Sequence, residues 1–148
     1  MAKPKSIKTR LLKILQILYK ETDTNHPMKT IVLHGKLRNY GIGCEQRSIV
    51  ETIQILQECG FDVKRSGKVG MGTSVWLDNH PFSDEELDHL IFAVTTNPYI
   101  SNEQIAEILQ NLKSVVTVYQ ETKLQKFIET RSYEDEHAKT IINRALLR

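Results

Sequence analysis

The chain has no long apolar run, only two cysteines, and none of the short signatures that cradle a phosphate, hold a metal or present a catalytic nucleophile. Each of these gaps removes a class of function. The densest apolar stretch near the N-terminus, Leu11 to Tyr19, is interrupted by Lys13 and Gln16. It is too short to cross a bilayer and is followed by no cleavage-site pattern, so a cytoplasmic protein with no membrane partner is expected. Cys44 and Cys59 cannot make a disulfide framework. If they flank one helix they sit roughly 22 Å apart at about 1.5 Å per residue, far beyond bridging distance, and free buried thiols are expected. The motifs Gly-x-Gly-x-x-Gly, P-loop, Gly-x-Ser-x-Gly and Cys-x-x-Cys do not occur. Gly67 to Gly72 is not followed by a helical pattern, so it is no phosphate cradle. The five histidines (His26, His34, His80, His89, His137) lack metal-ligand spacing. Nothing argues for a reaction: the expectation is no enzyme, no cofactor, no metal and no evident small-molecule ligand.

What is present is a soluble globular composition with unevenly placed charge. At 148 residues, 40% hydrophobic and 26% charged, the chain can bury one ordinary core or two small ones. Net charge is +2, yet residues 1–80 carry 13 basic and 7 acidic side chains while residues 81–148 carry 7 basic and 11 acidic. The halves therefore differ in sign, +6 against −4. Such a split suggests a phosphate-facing N-terminal module and a different partner for the rest.

Periodicity gives the order of elements. Residues 1–5 read as a frayed basic arm. Ile7, Leu11, Ile14, Leu15 and Leu18 recur at helical spacing, predicting a helix over 6–21. Thr22 to Pro27 is a polar loop. A second helix is expected from Lys29 to Asn39, burying Val32, Leu33, Leu37 and Tyr40. Gly41 and Gly43 supply a sharp turn, because glycine adopts positive φ without a Cβ clash. A third helix follows, with Glu45 in its first turn, an apolar face of Ile49, Ile53 and Leu56, and a C-cap at Cys59-Gly60. Asp62 to Arg65 and Thr73 to Leu77 then read as strands around a long Gly-containing loop. Helix, sharp turn, helix, hairpin is the order of a winged helix-turn-helix, in which the second helix of the motif enters the DNA major groove.

After Asn79-His80-Pro81, Ser83 to Glu86 forms a capping box opening a helix to about Thr95. Ser101 to Gln104 repeats the device for a helix running to roughly Val116, burying Ile105, Ile108, Leu109 and Leu112. Two such short amphipathic helices cannot stand alone and need the first module or another subunit to pack on. Val118 to Thr130 has no clean period. Tyr133 to Leu147 reads as a last helix.

On the third helix, Gln46, Arg47, Ser48 and Glu51 occupy the N-terminal polar face, where base edges are reached. Arginine suits guanine O6/N7 and glutamine suits adenine N6/N7; glutamate accepts from cytosine N4. Lys64, Arg65 and Lys68 in the hairpin are placed for a flanking phosphate or the minor groove. Lys36 and Arg38, with Lys5, Lys8 and Lys29, are further phosphate candidates.

Several stretches together resemble the N-terminal part of WYL-domain transcriptional regulators: Arg47-Ser48-Ile49, Leu56 to Gly60-Phe61, Pro81-Phe82-Ser83 to Glu86-Leu87, and Tyr99-Ile100-Ser101. The resemblance covers about residues 7–118, with its pieces in one order. It implies a recognition helix opened by the arginine, a wing, and two linker helices. Glu51-Thr52 stand where that family often has an Arg-Asp pair. The family's ligand-sensing β-barrel, with its Trp-Tyr-Leu motif, would come after residue 148, and the single tryptophan, Trp76, lies in the wing.

The expectation is thus an α+β, mostly helical protein: a winged helix-turn-helix over 1–80 and a helical extension over 81–148. It would bind double-stranded DNA sequence-specifically as a homodimer joined through the extension, as a repressor or autoregulator. The alternative is a winged-helix interaction module, inhibitor or adaptor, that binds a protein partner. Glu45, Glu51 and the acidic second half favour that alternative.

Overall fold

A computed structural model describes residues 7–67 and 72–130. The expected basic arm (1–5), Lys68 and the last expected helix (133–147) lie outside them. The chain is α+β and mostly helical, and it divides into two compact units, Met1–His80 and Pro81–Arg148.

The first unit runs α1 (Ile7–Glu21), β1 (Met28–Lys29), α2 (Thr30–Asn39), α3 (Gln46–Glu58), β2 (Val63–Ser66) and β3 (Ser74–Leu77). Its three helices pack pairwise on one another, and its strands form an antiparallel sheet in the order β1-β3-β2. Helical spacing explains the packing. Ile14, Ile17 and Leu18 of α1, and Ile49, Ile53 and Leu56 of α3, are buried in one cluster. Each such side chain contributes about 1.5–3 kcal/mol relative to exposure. Ile7, at the open end of α1, stays exposed.

The second helix departs from expectation. Leu33 and Leu37, one turn apart, are buried, whereas Val32 and Tyr40 are about half exposed. A ten-residue helix presents a single row to the core, and Val32 lies about 100° around the axis from Leu33. Tyr40 falls beyond the last turn, where the Lys13 ammonium sits 3.7 Å over its ring centroid.

The reversal after α2 rests on one glycine. Gly41 has φ 70°, its N–H donates to Arg38 O, and the Ile42 N–H donates to Leu37 O, both at 2.9 Å. This pair of bonds is a Schellman closure, and it drops Ile42 into the core cluster with Leu37. Gly43 takes no positive φ, contrary to the expectation that both glycines are needed. His34 Nε2 donates to Cys44 O at 2.7 Å and holds the far side of the turn. The third helix ends the same way: at Gly60 (φ 91°), Gly60 N–H donates to Gln57 O and Phe61 N–H to Leu56 O, both at 3.0 Å.

Strand β1 was not expected, since its two residues read as the loop end and the helix start. Met28 pairs with Val75 and Lys29 with Ser74, and Thr30 N–H donates to Thr73 O at 2.9 Å. Two side chains fasten the hairpin. Gln57 Nε2 donates to Val63 O at 2.6 Å. Buried Thr22 donates to Leu18 O at 2.6 Å and accepts the Leu77 N–H at 3.0 Å. The expectation of buried thiols fails: Cys59 is exposed and Cys44 only half-buried. Burial pushes the Cys44 thiol pKa up, partly opposed by the Arg10 charge.

The second unit contains α4 (Asp84–Thr95), α5 (Asn102–Leu112) and α6, described over residues 118–130. Both expected capping boxes are formed. Ser83 Oγ accepts from Glu86 N, Ser101 Oγ accepts from Gln104 N, and each carboxylate or amide oxygen returns a bond to the cap. A third box opens α6, the segment without clean sequence period. Thr117 N donates to Gln120 Oε1 and Gln120 N to Thr117 Oγ1, both at 3.3 Å. Gln120 Nε2 also reaches Phe82 O at 3.1 Å and Asp84 Oδ1 at 2.8 Å. Leu124 of α6 and Val116 complete a core with Leu87, Ile91, Ile105 and Leu109. The short pair α4–α5 therefore gains a third wall from its own unit. Helix α5 stops at Leu112, four residues before its expected end.

The two glycines of the turn should behave oppositely. Gly41→Ala forces a left-handed φ on a residue with a Cβ and should cost about 1–2 kcal/mol. Gly43→Ala meets nothing within 4 Å and should stabilise by about 0.4–1 kcal/mol, because the unfolded chain loses freedom. Urea midpoints of the two variants check this, and equal losses would contradict the assigned closure.

Candidate nucleic-acid interface

The first two turns of α3 hold four of the expected contact residues. Gln46, Arg47 and Glu51 are exposed, while Ser48 is half-buried. The Ser48 backbone is bonded within the helix, its carbonyl accepting from Thr52 Oγ1 at 2.7 Å and its N–H donating to Glu45 O at 3.0 Å. Glu45 is the N-cap, with extended backbone and no side-chain capping bond, and not a first-turn acid as expected. The first turn of α3 consequently contains no acid at all.

That composition has an electrostatic cost. Unsatisfied N–H groups make a helix N-terminus positive, so a cation in the first turn is unfavourable for the isolated helix. Arg47 is such a cation, with its side chain 87% exposed. Its partner is Glu51, one turn on, at 3.3 Å from Nε. An exposed pair of this kind is worth about 0.3–0.5 kcal/mol, and the order Arg before Glu is the weaker one. The guanidinium is held loosely and is open to an external anion or base edge.

Strand alternation sorts the hairpin cations. Val63 and Arg65 share one face of β2, and Val63 is buried in the helical core, so Arg65 points to the α3 side. Lys64 points to the opposite face and pairs with Asp62 at 2.7 Å; that hydrogen bond and charge raise its pKa. Lys36 pairs with Glu21 at 2.7 Å, between α2 and α1. Arg38 lies exposed in the last turn of α2, where a cation suits the helix dipole. Of the expected contact residues, the structure brings Gln46, Arg47, Arg65 and Lys29 onto one cleft and leaves Ser48, Glu51, Lys64, Lys36 and Arg38 off it.

The cleft, about 490 Å³, lies between the starts of α2 and α3 and the hairpin. Lys29, Arg47, Arg65 and Gln46 line it together with Ile31, Val50 and Ile53, and among the described residues no acidic one does. In the sequence Lys29 is one of five further phosphate candidates. It reaches the cleft because β1 pairs with β3 and sets it as the N-cap of α2. Ile31 and Thr73 were not assigned any role. A further unassigned residue, Arg10 of α1, donates from Nε to Thr52 Oγ1 at 3.2 Å and ties the back of α3 to α1.

The histidines of the first unit serve the backbone and its turns. His34 and His80 bond the carbonyls of Cys44 and Thr22, and His26 pairs with Asp23. Among the described residues no group of three His, Cys, Asp or Glu could hold a metal ion. Among the same residues no helix is long and apolar enough to cross a membrane.

If Arg47 is kept for an external contact, the fold should not need it. Arg47→Gln removes an unfavourable helix-start charge and a weak surface pair, so unfolding free energy should stay within about 0.5 kcal/mol of the native value. A loss above about 1 kcal/mol in chemical denaturation would make Arg47 a structural residue instead.

No family model, no curated protein and no solved structure matches the chain.

Proposed function

We propose that the Met1–His80 unit is a winged helix-turn-helix that binds double-stranded DNA and reads its sequence with α3. In this reading α2 and α3 are the helix-turn-helix, and β2–β3 is the wing. The observation that carries it is the acid-free, exposed first turn of α3, with Arg47 and Gln46 facing Arg65 across an acid-free cleft. Arg47 addresses guanine and Gln46 adenine in the major groove, while Arg65 and Lys29 touch flanking phosphates. Glu51 holds Arg47 in the free protein and competes weakly for it. Ser48, half-buried, contributes little.

The Pro81–Arg148 unit supports a homodimer. Among the described residues Leu90, Phe92 and Phe127 are exposed, Phe92 at 68%, an apolar surface that a partner protomer would cover. One recognition helix reads too few base pairs for useful specificity, and a twofold dimer doubles the site. A cytoplasmic repressor or autoregulator akin to WYL-domain regulators is the role this arrangement suits.

Retention on random duplex DNA at low and moderate salt, followed by selection from a random pool, tests the reading. On a selected site Arg47→Ala should cost about 1–3 kcal/mol and relax preference at one base. Arg65→Ala should weaken all sequences alike and lower the salt slope by about 1. Lys64→Ala should do neither, since Lys64 faces away and is paired with Asp62. Retention that salt does not change would move the reading to a protein partner on the same helix face.

A further inference from the structure

The cleft beside α3 has a character that DNA contact alone does not use. Its mouth is cationic, with Lys29, Arg47 and Arg65, yet its floor is apolar, with Ile31, Val50 and Ile53. Ile31 is 63% exposed, an uncommon state for an isoleucine in the first turn of a packed helix. Among the described residues Lys29 and Arg65 have no acidic partner, and Arg47 has only the loose pair with Glu51. A volume of about 490 Å³ falls within the range of small-molecule sites, which are concave and mostly apolar with a few convergent polar groups. A backbone phosphate would satisfy the cations and leave the apolar floor wet.

We propose that this cleft binds a small anion with an apolar body, an aryl or alkyl carboxylate, sulfonate or phosphate, and that an occupied cleft excludes DNA. The apolar body covers Ile31 and Val50 while the acid head meets Lys29 and Arg65. Charge complementarity selects the head: among the described residues three cations line the cleft and no acid does. Exclusion follows from shared residues. Gln46, Arg47 and Arg65 belong both to the cleft and to the DNA-reading surface, so a bound anion neutralises the cations that a duplex needs. The second half of the proposal rests on the DNA reading; the first half does not. No sequence motif announces the site, because it is assembled from three separate segments.

The test titrates methyl-labelled full chain with 8-anilino-1-naphthalenesulfonate, with its uncharged relative N-phenyl-1-naphthylamine, and with inorganic phosphate. The sulfonate should shift the Ile31, Val50 and Ile53 methyls saturably and leave Ile105 unmoved. The uncharged relative, and the sulfonate on the Lys29→Gln, Arg65→Gln double variant, should bind about tenfold more weakly, the scale of two lost solvent-exposed ion pairs. Both replaced side chains are exposed, and an unchanged Ile105 methyl signal verifies that the variant is folded. Inorganic phosphate should leave the three cleft methyls in place. Unmoved Ile31 and Val50 methyls, equal binding of the uncharged relative, or equal shifts from phosphate would each overturn the site. Saturating sulfonate should also lower affinity for duplex DNA about tenfold or more, and an unchanged duplex affinity would overturn exclusion. If the unliganded chain binds no duplex, the DNA reading fails while the methyl titration still decides the anion site.

Discussion

The chain reverses between α2 and α3 within a few residues, and the direction of α3 depends on how that reversal is closed. Two backbone hydrogen bonds at Gly41 and Ile42 satisfy carbonyls that the end of α2 would leave open. Ile42 then enters the core beside Leu37, so the turn is held by burial as well as by hydrogen bonds. His34 fixes the other limb through Cys44 O. A helix rotates its faces by about 100° per residue, so a one-residue change in this turn would carry Ile49 and Ile53 about 100° off the core and re-aim Arg47. The polar face of α3 is open because the turn has this length and this glycine.

Charge distribution gives that open face its meaning. The first half of the chain is strongly basic, yet several of its cations are answered internally: Lys36 by Glu21, Lys64 by Asp62. Three other cations, Lys29, Arg47 and Arg65, gather around one cleft, and Arg47 sits at the positive end of a helix. Such an arrangement works against local stability and favours an external negative partner. A duplex and a small amphipathic acid both answer that description. They differ in whether the apolar floor at Ile31 and Val50 is used.

Local signals in the sequence carried much of this fold. The Ser83 and Ser101 capping boxes, the apolar face of α3 and the Gly60 ending were readable, because each involves residues within one or two turns of one another. Two further features are local as well. Thr117 and Gln120 have the capping-box spacing that opens α6, hidden by the mixed residues after them. Strand period alone separates Lys64 from Arg65. Other features could not be read locally. The pairing of Met28 with Val75 brings together residues far apart in sequence, and without it Lys29 has no reason to approach Arg65. The exposure of Val32 and Tyr40 depends on how many rows of a short helix the neighbouring α1 and α3 can cover. The cleft is likewise tertiary, joining segments that share no periodicity.

The central claim is that a nucleic acid meets the first turn of α3 and the facing side of the hairpin. Backbone amide shifts of the full chain, recorded while a short duplex is added at low salt, locate the contact directly. The account predicts the largest changes at Gln46 to Glu51, with Lys29 and Arg65, and small ones at Asp62 and Lys64. Changes confined to Pro81 onward, with α3 silent, would contradict it.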